Sequence, residues 1–195
     1  MDAFCQAVES YWSNRSTPQS RALAAWSVQL ILQHMRAACS GDVSVARPIM
    51  CQAALMAGQA IDITRTTACH AVSYGLTHLF AIPHGHACAL TLASFLKYNS
   101  DVRESDVADP RGVVFVRSKV SELLDLLDAE DVAQGALRIT QLMEDIGLET
   151  RLSQLGVGRA DVERLVKNGF DPSRAANNPR TLCADRLRKM LFEVI

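Results

Sequence analysis

Residues 64–97 read TRTTACHAVSYGLTHLFAIPHGHACALTLASFLK, and the fold turns on how this stretch divides. Its apolar residues recur at helical rather than alternating spacing on both sides of Ile82-Pro83. A residue before proline is pushed out of helical geometry, so the run must break there. The stretch predicts a helix from about Thr64 to Leu79, a turn, and a new helix from His84 to about Lys97.

The same period continues in both directions. Residues 2–13 predict a helix, followed by a turn in which Thr17 caps a second helix with Pro18 at its first position, running to about Ala38. Leu23, Trp26, Val28, Leu30, Ile31 and Leu32 occupy several faces of that helix, which predicts a deeply buried hub of the core. After a turn at Ser40-Gly41-Asp42, a third helix with Pro48 near its start passes Met50, Leu55 and Met56 and ends near Ala60. Farther on, Val116, Val120, Leu123, Leu124 and Leu127 form one stripe, and Val132, Ala136, Ile139, Met143 and Ile146 form another before a capping Gly147. Leu187, Met190, Leu191 and Val194 repeat the pattern. Val113 to Val116 is strand-like but has no partner. Residues 1–195 are expected to form one all-α domain, a helical bundle.

Lys+Arg 20 against Asp+Glu 21 leaves a formal net charge of -1, which argues against a nucleic-acid or anionic-membrane partner. No apolar run has the length of a membrane span, and no basic segment precedes an apolar signal core, so the expected location is cytoplasmic. The six cysteines form no CxxC pair and are expected to be reduced, buried thiols. The opening Met1-Asp2-Ala3-Phe4-Cys5-Gln6-Ala7-Val8 is helix-like from its first residue, without a capping residue before it. Such an opening is expected of a chain that continues N-terminally.

Three of the five histidines, His70, His78 and His84, fall within residues 70–84, with His86 just beyond. A single histidine is more often a hydrogen-bonded core or surface residue than a ligand. Two antiparallel helices joined at Ile82-Pro83 could, however, bring His70 and His84 to one point. Asp2 adds a hard oxygen donor near the start of a further helix, and one carboxylate with two imidazoles suits Fe²⁺ or Zn²⁺.

Ala68-Cys69-His70-Ala71-Val72-Ser73-Tyr74-Gly75, with Ile82-Pro83-His84-Gly85-His86-Ala87, resembles the signature of the iron-containing (group III) alcohol dehydrogenases. In that signature a helix-borne histidine lies fourteen positions before the histidine of a Pro-His-Gly turn, as His70 does before His84. The helix opening at Asp2 and the turn Asn177-Asn178-Pro179-Arg180 are similar to further elements of the family. The resemblance covers essentially the whole chain and implies the family's C-terminal helical metal-binding domain, with Asp2, His70 and His84 as ligands.

Two positions depart from the family pattern. The usual fourth ligand, a histidine one turn after the aspartate, is here Gln6, a poorer donor that puts the metal's identity and affinity in question. Four residues after His70, where the family often has a proton-relaying histidine, stands Tyr74, which either donates a hydrogen bond near the metal or packs. Gln6 together with Tyr11-Trp12-Ser13 and the Pro-His-Gly-His turn resembles the family branch that reduces phosphonoacetaldehyde and related phosphonate aldehydes. Arg15, Arg65, Lys97 and Arg180 could contact a phosphonate, although a surface role is the more common use of any one of them.

The resemblance implies hydride transfer between NAD(P)H and a small aldehyde or alcohol, with the metal acting as a Lewis acid on the carbonyl. The family's N-terminal α/β domain, with its glycine-rich pyrophosphate turn, has no counterpart in the sequence. NAD(P)H is therefore expected only in a full-length enzyme, with that domain as a partner, and the isolated chain is expected to be inactive. A homodimer is a candidate assembly, since a face normally covered by the other domain would be apolar. Two rivals remain. One is a dehydroquinate-synthase-like lyase, against which Gly85-His86 stands where Gly-Glu is expected; the other is a non-catalytic helical fragment with a relic metal site.

Overall fold

The computed structural model describes residues 1–41, 44–168, 170 and 172–195, with the side chain of Asn168 excepted. Its α-helices are α1 (Asp2–Trp12), α2 (Pro18–Ser40), α3 (Ala46–Thr64), α4 (Ala68–Phe80), α5 (His84–Ser100), α6 (Gly112–Leu126), α7 (Val132–Asp145), α8 (Val162–Asn168) and α9 (Ala184–Glu193). Short 3-10 turns at Leu152–Leu155 and Arg159–Asp161 link α7 to α8. The only extended pairing among the described residues is one isolated antiparallel bridge between Val107 and Arg180. The strand-like run Val113 to Val116 lies within α6. The architecture is the expected all-α bundle.

Local chemistry sets most boundaries. Thr17 and Ser20 form a reciprocal capping box at the start of α2, with Pro18 at its first position. Gly41 ends α2 in the left-handed conformation at φ 108, while Asp42, also expected in this turn, lies outside the described residues. Asp131 caps α7 through the Gln134 amide, and Gly147 follows its end at φ 77.

Two expectations are corrected. The third helix continues to Thr64, and the fourth begins at Ala68 rather than Thr64, because the chain turns sharply at Arg65, where φ is 59. Thr64 is buried and donates back to the Ala60 carbonyl, which holds it in the last turn of α3. Nor is α2 the hub of the core. Trp26 is 61% exposed, Leu23, Leu30 and Leu32 are only half-buried, and the buried face of α2 is Ala24, Ser27, Val28, Ile31 and Met35.

The centre is α5, which packs against α1, α4, α6, α7 and α9. Small residues Ala87, Cys88, Ala89 and Thr91 allow this close approach, and Leu92, Phe95 and Leu96 fill the space beyond them. At the far end of α5, the turn Asn177-Asn178-Pro179-Arg180 acts as a stitch. Asn178 pairs with Asn99, the Pro179 carbonyl accepts from the Ala108 and Asp109 amides, and Arg180 bonds to Asp106 and the Tyr98 carbonyl. Arg180 is 3% exposed, so this arginine is structural and unavailable to a substrate. No described helix is long and apolar enough to cross a membrane.

Candidate metal centre

Asp2, Gln6 and Glu9 follow one another at helical spacing on α1, so all three look toward the start of α4 and of α5. Glu9 is fully buried and could not remain ionised there without partners. It accepts from the Thr67 hydroxyl at 2.7 Å and from the amides of Cys69 and His70 at 2.8 and 3.3 Å. Those amides belong to the open first turn of α4, so a carboxylate from another helix serves as its cap. Thr67 in turn accepts from the Trp12 indole at 3.0 Å.

The other Glu9 oxygen contacts His70 Nδ1. With Nδ1–H held there, His70 directs Nε2 at Asp2 Oδ1, 3.2 Å away. His84 stands on the first turn of α5, with Nε2 3.7 Å from the same oxygen. Ser73 donates to the His70 carbonyl at 2.8 Å and faces His84 Nδ1 at 3.3 Å, which again leaves Nε2 for the cluster. The helix ends can come this close because residue 85 is glycine: a Cβ there would lie 2.8 Å from the Asp2 backbone nitrogen.

The structure thus brings Asp2, His70 and His84 together, and it adds Cys88. One donor atom from each of the four lies within 4.8 Å of the others. Gln6, a candidate fourth ligand in the sequence, donates its amide to Asp2 Oδ2 at 3.0 Å and so steers the carboxylate. Burial opposes charge on His70, but Glu9 and Asp2 outweigh it and raise its pKa. The hydrogen bond from His70 lowers the pKa of Asp2 against the opposing effect of burial, and Glu9 is likewise lowered despite its complete burial. Two carboxylates around one imidazole favour a cation at this point, and a carboxylate, two imidazoles and a thiol are suitable donors for a first-row divalent metal.

The remaining expected residues divide cleanly. Tyr74 is 47% exposed, its ring centroid 5.8 Å from that of His84, on the open side of the cluster. The Arg174 guanidinium lies 4.4 Å from the Tyr74 ring centroid. His78 is exposed, and His86 turns away to the Glu149 carbonyl at 2.7 Å. Arg15, Arg65 and Lys97 are exposed. Sequence reasoning passed over Glu9, Cys88 and Arg174. Glu9 and Cys88 share helix faces with Asp2 and His84, a signal that was present, whereas Arg174 comes from a loop.

Comparison with known proteins identifies what the chain as a whole is similar to. The description "Fe-containing alcohol dehydrogenase family, C-terminal" matches residues 1–194. The chain is 36% identical over 194 residues to a phosphonoacetaldehyde reductase of Streptomyces viridochromogenes, covering 99% of this chain and 48% of that protein. It is 32% identical over 182 residues to a 1,3-propanediol dehydrogenase of Klebsiella pneumoniae, covering 92% and 46%. Among solved structures, it is similar to sulfoacetaldehyde reductase from Bifidobacterium kashiwanohense in complex with NAD+, with a TM-score of 0.82, 29% identity, and coverage of 99% and 48%. The chain spans about half the length of the relatives it matches.

Proposed function

The chain belongs to the Fe-containing alcohol dehydrogenase family, matching its C-terminal part, and from that premise we propose that it is the metal-binding half of an NAD(P)H-dependent aldehyde reductase acting on a phosphonate aldehyde. The observation that carries this reading is the convergence of Asp2, His70 and His84 beside an open face bearing Tyr74. Those three residues would hold Fe²⁺ or Zn²⁺, and the cation would supply Lewis-acid polarisation of the carbonyl. Glu9 and Ser73 fix the two imidazole orientations, and Gln6 fixes the carboxylate. Tyr74, half-exposed beside His84, would be the proton donor to the carbonyl oxygen.

Support for an anionic substrate comes from Arg174, an exposed cation whose guanidinium lies over the Tyr74 ring beside the cluster. Hydride transfer also needs the nicotinamide held against the carbonyl carbon, a positioning worth several kcal/mol of the barrier. We assign that task to an N-terminal α/β domain, with residues 1–195 as a single helical unit. The six free cysteines favour a reducing compartment, and we place the enzyme in the cytoplasm. The exposed Trp26 and Leu55 on α2 and α3 are candidate contacts for a homodimer.

The test is reduction of phosphonoacetaldehyde with NADH and NADPH by the chain alone and after co-expression with a family N-terminal domain. Activity is expected only in the second case, with metal present, and Arg174→Ala should raise KM for the phosphonate about 10-fold while leaving an uncharged aldehyde unaffected. Steady turnover by the chain alone, abolished by His84→Ala, would overturn the two-domain reading.

A further inference from the structure

Gln6 leaves the cluster one donor short of four if its amide serves Asp2, and Cys88 occupies the vacant side. We propose that the Cys88 thiolate is the fourth protein ligand of this cation, and that it makes the site prefer zinc to iron. The inference rests on the metal-centre reading above and adds a ligand that the sequence signature does not contain.

Cys88 lies one turn after His84 on α5, so both side chains project from the same face. Its Sγ is 3.9 Å from His84 Nε2. Four ligands at the usual zinc distances, about 2.0–2.1 Å for nitrogen and oxygen and about 2.3 Å for sulfur, are separated in a tetrahedron by about 3.3–3.6 Å. Three of the separations are 3.2, 3.7 and 3.9 Å and all lie within 4.8 Å, so closure around an ion needs movements of up to about an ångström. The chain has two other buried cysteines, Cys5 and Cys69, and neither joins the cluster, so burial alone does not account for the position of Cys88.

A soft sulfur donor beside two imidazoles favours zinc over a hard-donor site for Fe²⁺. Binding releases the thiol proton to solvent, and the cation's charge stabilises a thiolate that burial otherwise disfavours. A substrate oxygen would have to reach the cation from the Tyr74 side, where the cluster is open.

The test uses the whole chain with the exposed Cys39, Cys51 and Cys183 replaced by serine, loaded with Co²⁺ as an optical stand-in for zinc. A sulfur-to-cobalt charge-transfer band in the near ultraviolet is expected. It should persist in Cys5→Ser and Cys69→Ser and vanish in Cys88→Ser and in Cys88→Ala, the latter retaining an apolar filler should serine fail to fold. Chelator competition should show zinc affinity reduced at least about 10-fold in both Cys88 variants, with helical circular dichroism unchanged. Cobalt bound at one ion per chain without the sulfur band would overturn the proposal and leave the Asp2, His70 and His84 centre standing. No cobalt or zinc binding by the parent chain would overturn both.

Discussion

Gly85→Ala is the most economical perturbation of the metal centre, because it changes no donor atom. A Cβ built on Gly85 lies 2.8 Å from the Asp2 backbone nitrogen and 3.0 Å from its Cβ, whereas ordinary contact begins at 3.4 Å. The required displacement is 3.4 − 2.8 = 0.6 Å, and it falls on backbone rather than on the end of a flexible side chain. Ligand constellations tolerate about 0.5 Å, so the Asp2 carboxylate should leave the cluster. Zinc affinity is expected to fall about 10- to 100-fold, with an overpacking cost of about 1–3 kcal/mol to the apoprotein. Chelator competition gives the first quantity and urea unfolding in excess chelator the second. Gly58→Ala, in a helix where an added Cβ meets nothing within 4 Å, is the control and should alter neither adversely. Unchanged metal affinity in Gly85→Ala would refute the claim that this glycine is required for the approach of α1 to α5.

Three further outcomes are expected. Glu9→Gln keeps the shape but must either present its amide N–H to His70 Nδ1, which drives the imidazole to the tautomer that protonates Nε2, or turn it to the α4 amides, where donor meets donor and the hold on the imidazole loosens; metal affinity should drop about 10-fold or more by the same competition assay. Ile139→Ala, at 1% exposure on the inner face of α7, should cost about 2–5 kcal/mol in urea unfolding, while Val114→Ala, 83% exposed, should stay within about 0.5 kcal/mol. Burial opposes ionisation of Asp106, but the Arg180 hydrogen bond prevails and lowers its pKa. A depressed carboxylate contributes stability above its unfolded pKa of about 3.9 and loses it as pH falls through the folded value, so Asp106→Asn should flatten the acid side of a Tm–pH profile.

Much of this was legible in the sequence, for identifiable reasons. Helical stripes such as Ile139 and Met143 on α7, and the Thr17-Pro18 start of α2, rest on local chemistry that tertiary packing did not override. Which helix lies at the centre did not follow, because periodicity shows that a face is apolar and not what it meets. The large residues of α2 suggested a hub, yet the small ones of α5 permit the closest packing. The break at Arg65 carried no glycine or proline to announce its positive φ. His70 and His84 could be paired because the Ile82-Pro83 break joins their helices, and Asp2 was reached through the resemblance of its helix to the family's, whereas Arg174 is brought beside Tyr74 only by the path of a distant loop.

The chain of bonds from Trp12 through Thr67 and Glu9 to His70 gives the centre a built-in optical probe. The protein has two tryptophans, and they occupy opposite surroundings: Trp12 is 1% exposed and Trp26 is 61% exposed. Emission from the buried indole should lie to the blue of emission from the solvated one, so the two contributions are separable without labelling. When a cation displaces charge from the imidazole, the field along this chain changes at the indole N–H itself. Occupancy of the centre can therefore be followed in solution by the blue component of the intrinsic fluorescence, with Trp26→Phe removing the background.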